Sequence, residues 1–142
     1  MQIKSFYRGV LISYLSVLVF CSSNAYSADW QPLGEFPESP KFGKIDYFVD
    51  IASISIDGNF RSVWLKSVFS KPQVYSQGKN YTDFLSFTYY NCSSKSYGVT
   101  RIDVYSPDGE LVGSEKQDLK YAPIPERSLD EKIYEFICKY KK

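Results

Sequence analysis

The stretch DFLSFTYYNC, residues 83–92, decides the fold. Leu85, Phe87 and Tyr89 fall on one side of an extended chain, and Phe84, Tyr90 and Cys92 on the other, which is the period of two that a strand imposes. From Cys92 the reading leads to SLDEKIYEFICKYKK, residues 128–142. There Ser128 and Glu131 have the spacing of a capping box, in which the hydroxyl takes the N3 amide and the carboxylate returns to the N-cap amide. A helix is predicted from Leu129 to about Tyr140, with Leu129, Ile133, Phe136, Ile137 and Tyr140 forming the apolar stripe that packs on a sheet. Cys138 sits about 180° round the wheel from Leu129. Either the last turn unwinds near Ile137, or a bond to Cys138 reaches round the helix edge.

Cys92 and Cys138 are also the only cysteines beyond residue 27, and residues 1–27 read as a signal peptide. Lys4 and Arg8 precede the apolar run Val10 to Phe20, then come Cys21, Ser22, Ser23 and Asn24, and small residues suit cleavage after Ala25 or Ser27. The apolar run is shorter than the roughly 20 residues that a membrane-spanning helix needs. An even cysteine pair behind a signal points to one disulfide, formed in an oxidising compartment. Closing a loop of about 45 residues stabilises the fold by roughly 4 kcal/mol. Leu18 to Cys21 loosely resembles a lipobox, but Phe20 stands where lipoprotein processing takes a small residue, which argues against a lipid anchor at Cys21.

Lys4 and Arg8 leave with the signal, so 15 of the 17 basic residues remain against 16 acidic ones. A net charge near −1 supplies no field for nucleic acid or an anionic membrane surface. No apolar run near 18 residues follows residue 27, so no membrane span is expected after signal removal.

Residues 28–142 have the length of a single domain. Asp29 to Gly43, with Pro32, Gly34, Pro37 and Pro40, reads as an irregular lead-in. Ile45, Tyr47, Val49 and Ile51 alternate with Asp46 and Asp50, a strand with one wet side. Asp57 and Gly58 signal a hairpin into Phe60 to Phe69, whose apolar residues on both sides suggest a central strand covered twice over. Ser70 to Thr82 reads as a long connection, and Tyr97 to Ser106 and Glu110 to Glu115 as strands joined through Pro107, Asp108 and Gly109. The fold class is α+β: an antiparallel sheet of five or six strands, with a C-terminal helix packed on one face and disulfide-linked to it.

The absence of histidine removes Ser-His-Asp and Cys-His chemistry and the commonest zinc ligand together. Asp46 and Asp50 are the one carboxylate pair at strand spacing, and both are expected to be solvated. No catalytic residue, metal site or cofactor is assigned. Tyrosine is abundant, with ten beyond residue 27, and it makes a rigid amphipathic anchor for protein partners. Tyr75 and Tyr81, in or beside the long connection, and Lys71 and Lys79 near it are the candidate binding residues.

Trp30, then Tyr47 to Asp50, Ile54, Gly58, Val63 and Trp64, then Tyr90 to Cys92, Gly109, Pro123 to Pro125, Ser128 and Cys138 together resemble the surface-adhesin protein E family of Gram-negative bacteria. Tyr121 departs from the pattern, standing where a tryptophan is expected. The resemblance implies a bent antiparallel sheet with a C-terminal helix disulfide-bonded to its concave face. It implies an exported, non-enzymatic binding protein in the periplasm or on the outer cell surface, with host extracellular-matrix or plasma proteins such as vitronectin and laminin as partners, and a capacity to form a homodimer. Haem binding has also been linked to the family, but here histidine ligation is impossible. The alternative is a periplasmic inhibitor or immunity-type protein that binds a bacterial partner.

Overall fold

The computed structural model of the protein describes residues 27–142; the expected signal peptide, apart from Ser27, and Cys21 with its lipid question lie outside the described residues. The strands are β1 (Trp30–Ser39), β2 (Gly43–Asp50), β3 (Ser55–Asp57), β4 (Phe60–Val74), β5 (Asn80–Asn91), β6 (Ser96–Tyr105), β7 (Leu111–Lys116) and β8 (Ala122–Pro123), followed by the helix α1 (Leu129–Lys139). They form one antiparallel sheet in the order β1-β2-β4-β5-β6-β7, with β3 beside β4 and β8 beside β6. The sheet therefore has eight strands, more than the five or six expected.

Two of the extra pairings come from segments read as loops. Asp29 to Gly43 is no irregular lead-in, because Trp30–Ser39 pairs with β2. Its prolines are tolerated because β1 is an edge strand, where the missing N–H groups can face away from the ladder. The register breaks after Pro32 and again after Phe36. Ser70 to Thr82 is likewise no long connection: Gln73 pairs with Tyr81 and Val74 with Asn80, and the extra residues of β4 form a bulge between Val68 and Gln73. What remains is a tight turn in which the Tyr75 amide donates to the Lys79 carbonyl at 2.8 Å and Gln77 takes a φ of 58°. The β3–β4 turn forms as expected, with Gly58 supplying a φ of 55° ahead of Asn59.

Strand parity separates the two sides of the sheet. Tyr47, Val49, Val63, Leu65, Tyr90 and Tyr97 share one side, and Ile54, Ile124, Ile133 and Ile137 join them in the core. Val49, Ile54, Val63 and Ile137 are fully buried there. Burial pushes the Tyr90 hydroxyl pKa far upward, with the Asp130 carboxylate adding to the shift. Among the described residues the opposite side has no helix over it, so there β4 is covered once and not twice.

Helix α1 starts as expected at Ser128, whose hydroxyl accepts the Glu131 amide at 3.1 Å. The Glu131 carboxylate returns one residue earlier than the capping box requires, to the Arg127 amide, and also takes the Lys95 ammonium. The Lys95 bond first and the Arg127 amide second hold the Glu131 carboxyl below its ordinary range.

The expected stripe of α1 packs on the core, with Leu129, Phe136 and Tyr140 partly buried beside Ile133 and Ile137, and it is wider than expected. Ile133 and Ile137 are buried, but Tyr134 also turns inward, its ring 6.3 Å from that of Tyr90 and its hydroxyl donating to the Cys92 carbonyl at 2.7 Å. Phe136 and Tyr140 pair with each other at 6.3 Å, partly exposed between Lys132 and Lys139. With Tyr134 added to the packed side, Cys138 lies about 40° from its edge at 100° per residue. The helix runs on to Lys139 without unwinding, and the Cys92–Cys138 disulfide closes round its edge with Cα atoms 5.7 Å apart.

Candidate binding surface

Alternation along β4 and β5 sends Trp64, Lys66, Phe87 and Tyr89 to the side away from the helix, while Val63 and Tyr90 enter the core. Among the described residues no helix covers them, and these large rings remain half-buried, packing on one another. The Trp64 and Phe87 centroids are 5.1 Å apart, and those of Phe87 and Tyr89 are 5.3 Å apart and near perpendicular. Arg101 lies over Trp64 at 5.7 Å and pairs with the Asp103 carboxylate at 3.0 and 3.1 Å. Asp103 is buried, and the Ser114 hydroxyl is its second partner. Toward β1, the Lys66 ammonium lies 4.6 Å from the Trp30 ring and 5.0 Å from that of Phe48. These cation–ring contacts tie four strands together without a covering helix.

This open side deepens into a cleft at one end. After β7 the chain crosses the sheet at Gly98, so closely that a Cβ there would stand 2.6 Å from the Lys120 carbonyl oxygen and 2.7 Å from Leu119. The crossing segment, with Tyr121 6.3 Å from Phe60, encloses about 320 Å³ lined by Asp57, Phe60, Ser62, Tyr89, Leu119 and Tyr121. Phe60, Leu119 and Tyr121 keep 44%, 40% and 41% of their surface exposed. A concave apolar site with a carboxylate and a hydroxyl at its border is suited to grip a side chain of a partner.

The residues singled out in the sequence each have a different neighbour. Tyr81 stands edge-on to Phe69 at 5.9 Å, and burial raises its hydroxyl pKa. Lys71 donates to the Pro40 carbonyl at 3.3 Å, and Lys79 is exposed in the hairpin turn. Tyr75 reaches furthest: its ring lies against Gly113 of β7 and its hydroxyl donates to Glu115 at 2.8 Å, a bond that raises the tyrosine pKa. The carboxylate pair is split as well. Asp46 meets Lys44 at 3.3 Å, whereas Asp50, expected on the wet side, is 1% exposed and accepts the amides of Asp29 at 2.8 Å and Ala52 at 3.2 Å. It caps the short 3₁₀ turn Ile51–Ser53, which is why it is buried.

The residues of the open side and its cleft that type alone does not single out are Phe60, Trp64 and Phe87. Their parity, opposite to that of Val63 and Tyr90, is the signal that separates them from the core.

The family model of surface-adhesin protein E matches residues 30–139. Among solved structures, the crystal structure of protein E from non-typeable Haemophilus influenzae is similar, with a TM-score of 0.54 and 18% sequence identity over 74% of this chain and 75% of that one. No curated protein matches the chain significantly.

Proposed function

Because the chain belongs to the surface-adhesin protein E family, we propose that it is an exported, non-enzymatic binding protein that engages host extracellular-matrix or plasma proteins through the open side of its sheet. The observation that carries this reading is the half-exposed aromatic surface of Trp64, Phe87 and Tyr89, with the Phe60–Tyr121 cleft at its end. Aromatic anchors set in well-packed depressions carry most of the binding energy at protein interfaces. The bordering groups Asp57, Ser62 and Arg101 supply orientation and not bulk affinity.

In this reading residues 1–27 direct export and are removed, and Ala28 and Asp29 lead straight into the edge strand. The test is binding of the purified, disulfide-bonded protein to immobilised vitronectin and laminin, compared with Phe60→Ala, Tyr89→Ala and Tyr121→Ala. Binding by the parent protein and its loss in the cleft variants support the reading. Equal binding by all four proteins would move the interface elsewhere, and failure of the parent to bind while periplasmic extract yields one tight bacterial partner would replace the adhesin by an inhibitor.

A further inference from the structure

The two edges of the sheet are built differently. β1 carries Pro32 and Pro37 and two register breaks, devices that prevent another strand from adding to it. Among the described residues β7 has no strand on its outer side; it has no proline, and its first four residues, Leu111 to Ser114, carry no charge. The Gln117 amide donates inward to the Thr100 carbonyl at 2.9 Å, so by antiparallel alternation the Ser114 and Lys116 amides point outward. Leu111 and Val74 are the most exposed large apolar side chains among the described residues, at 55% and 71%. Both belong to this end of the sheet, since Tyr75, next to Val74, lies on Gly113.

We propose that β7 is a strand-addition site, which takes an extended segment of the protein partner as a ninth strand. This rests on the protein-binding reading and names the form of the partner: at least four extended residues whose backbone pairs with β7, with apolar side chains that meet Leu111 on one side of the sheet and Tyr75 on the other. Main-chain bonds supply the affinity and the flanking side chains the selectivity. The lack of a Cβ at Gly113 lets the Tyr75 ring lie directly against β7, where it would flank such a side chain.

The experiment is selection of a phage-displayed random twelve-residue peptide library on the purified disulfide-bonded protein, followed by affinity measurement of the enriched peptides on Lys116→Pro and Lys116→Ala. The proline removes an outward amide and leaves the inward ladder to β6 whole, so its urea midpoint should match the parent's; the alanine removes only the charge. The expected result is at least about tenfold weaker peptide binding to Lys116→Pro, the equivalent of a lost backbone bond, and binding to Lys116→Ala within about twofold of the parent. Peptides that bind Lys116→Pro as well as the parent, or no enriched peptide at all, would overturn the proposal. So would a dimer of the parent, seen by sedimentation, that Lys116→Pro abolishes, because the edge would then belong to a second copy. Vitronectin and laminin binding is scored on the same proteins, so failure of the adhesin reading and failure of the edge are seen separately.

Discussion

The two sides of the sheet are made by the same strands and reach burial by different means. On the covered side, Val49, Val63 and Tyr90 lie under Ile133 and Ile137 and are almost wholly removed from water. On the open side, Trp64, Phe87 and Tyr89 keep part of their surface and are held by ring and cation contacts to strand neighbours. The difference teaches that aromatic content alone does not locate a core. Rings occur on both sides; what marks the covered side is the aliphatic set Val49, Ile54, Val63, Ile133 and Ile137, against which its tyrosines pack.

The contrast can be broken most severely by freeing the helix. Replacing Cys138 by Ser should cost about 4 kcal/mol, the loop-closure contribution of a 46-residue separation, measured as a loss of urea stability. Ile137→Ala, on the covered side, should cost about 3 kcal/mol. Trp64→Ala, on the open side, should cost less than half as much in the same titration while weakening partner binding. Equal stability losses would erase the distinction between the two sides.

Smaller effects sharpen it. Gly113→Ala would place a Cβ 2.3 Å from the Tyr75 ring, so it should destabilise by about 1–3 kcal/mol. Most of that cost should vanish in a Tyr75→Ala background, as a double-mutant cycle would show. Ser128→Ala should cost about 1 kcal/mol through the lost cap. The smallest effect is acidic. The Glu131 carboxyl titrates lower in the folded than in the unfolded chain, so its contribution is complete above the ordinary glutamate range and is lost as pH falls through the folded value. Glu131→Gln should therefore have a shallower decline of urea midpoint between neutral and acid pH than the parent.

Strand parity, the Gly58 hairpin and the Ser128 cap were legible because each is set by residues close in sequence. β1 was not, because prolines look like loop until a strand is known to lie at an edge, and that is decided by where the rest of the chain goes. The hairpin beyond Val68 was hidden by a bulge, which inserts Pro72 and its neighbours without ending the pairing. Asp50 looked solvated because its alternation is right for a wet side, yet it is needed to hold the amides of a turn. The apolar stripe of the helix was legible, but its widening by Tyr134 and Cys138 was not, because their partners at Cys92 are more than forty residues away. For the binding surface, the tyrosines and lysines of the supposed loop were visible by type, whereas the ring cluster around Trp64 emerges only when two strands pair.

The contacts of Lys66 and Arg101 give the molecule a built-in optical probe. Both tryptophans of the sequence, Trp30 and Trp64, stand on the open side with a cation over the ring, and neither belongs to the core under the helix. Intrinsic fluorescence excited at the indole band is therefore a label-free signal from that surface, so a docking partner that displaces either cation should alter emission while the covered side stays silent.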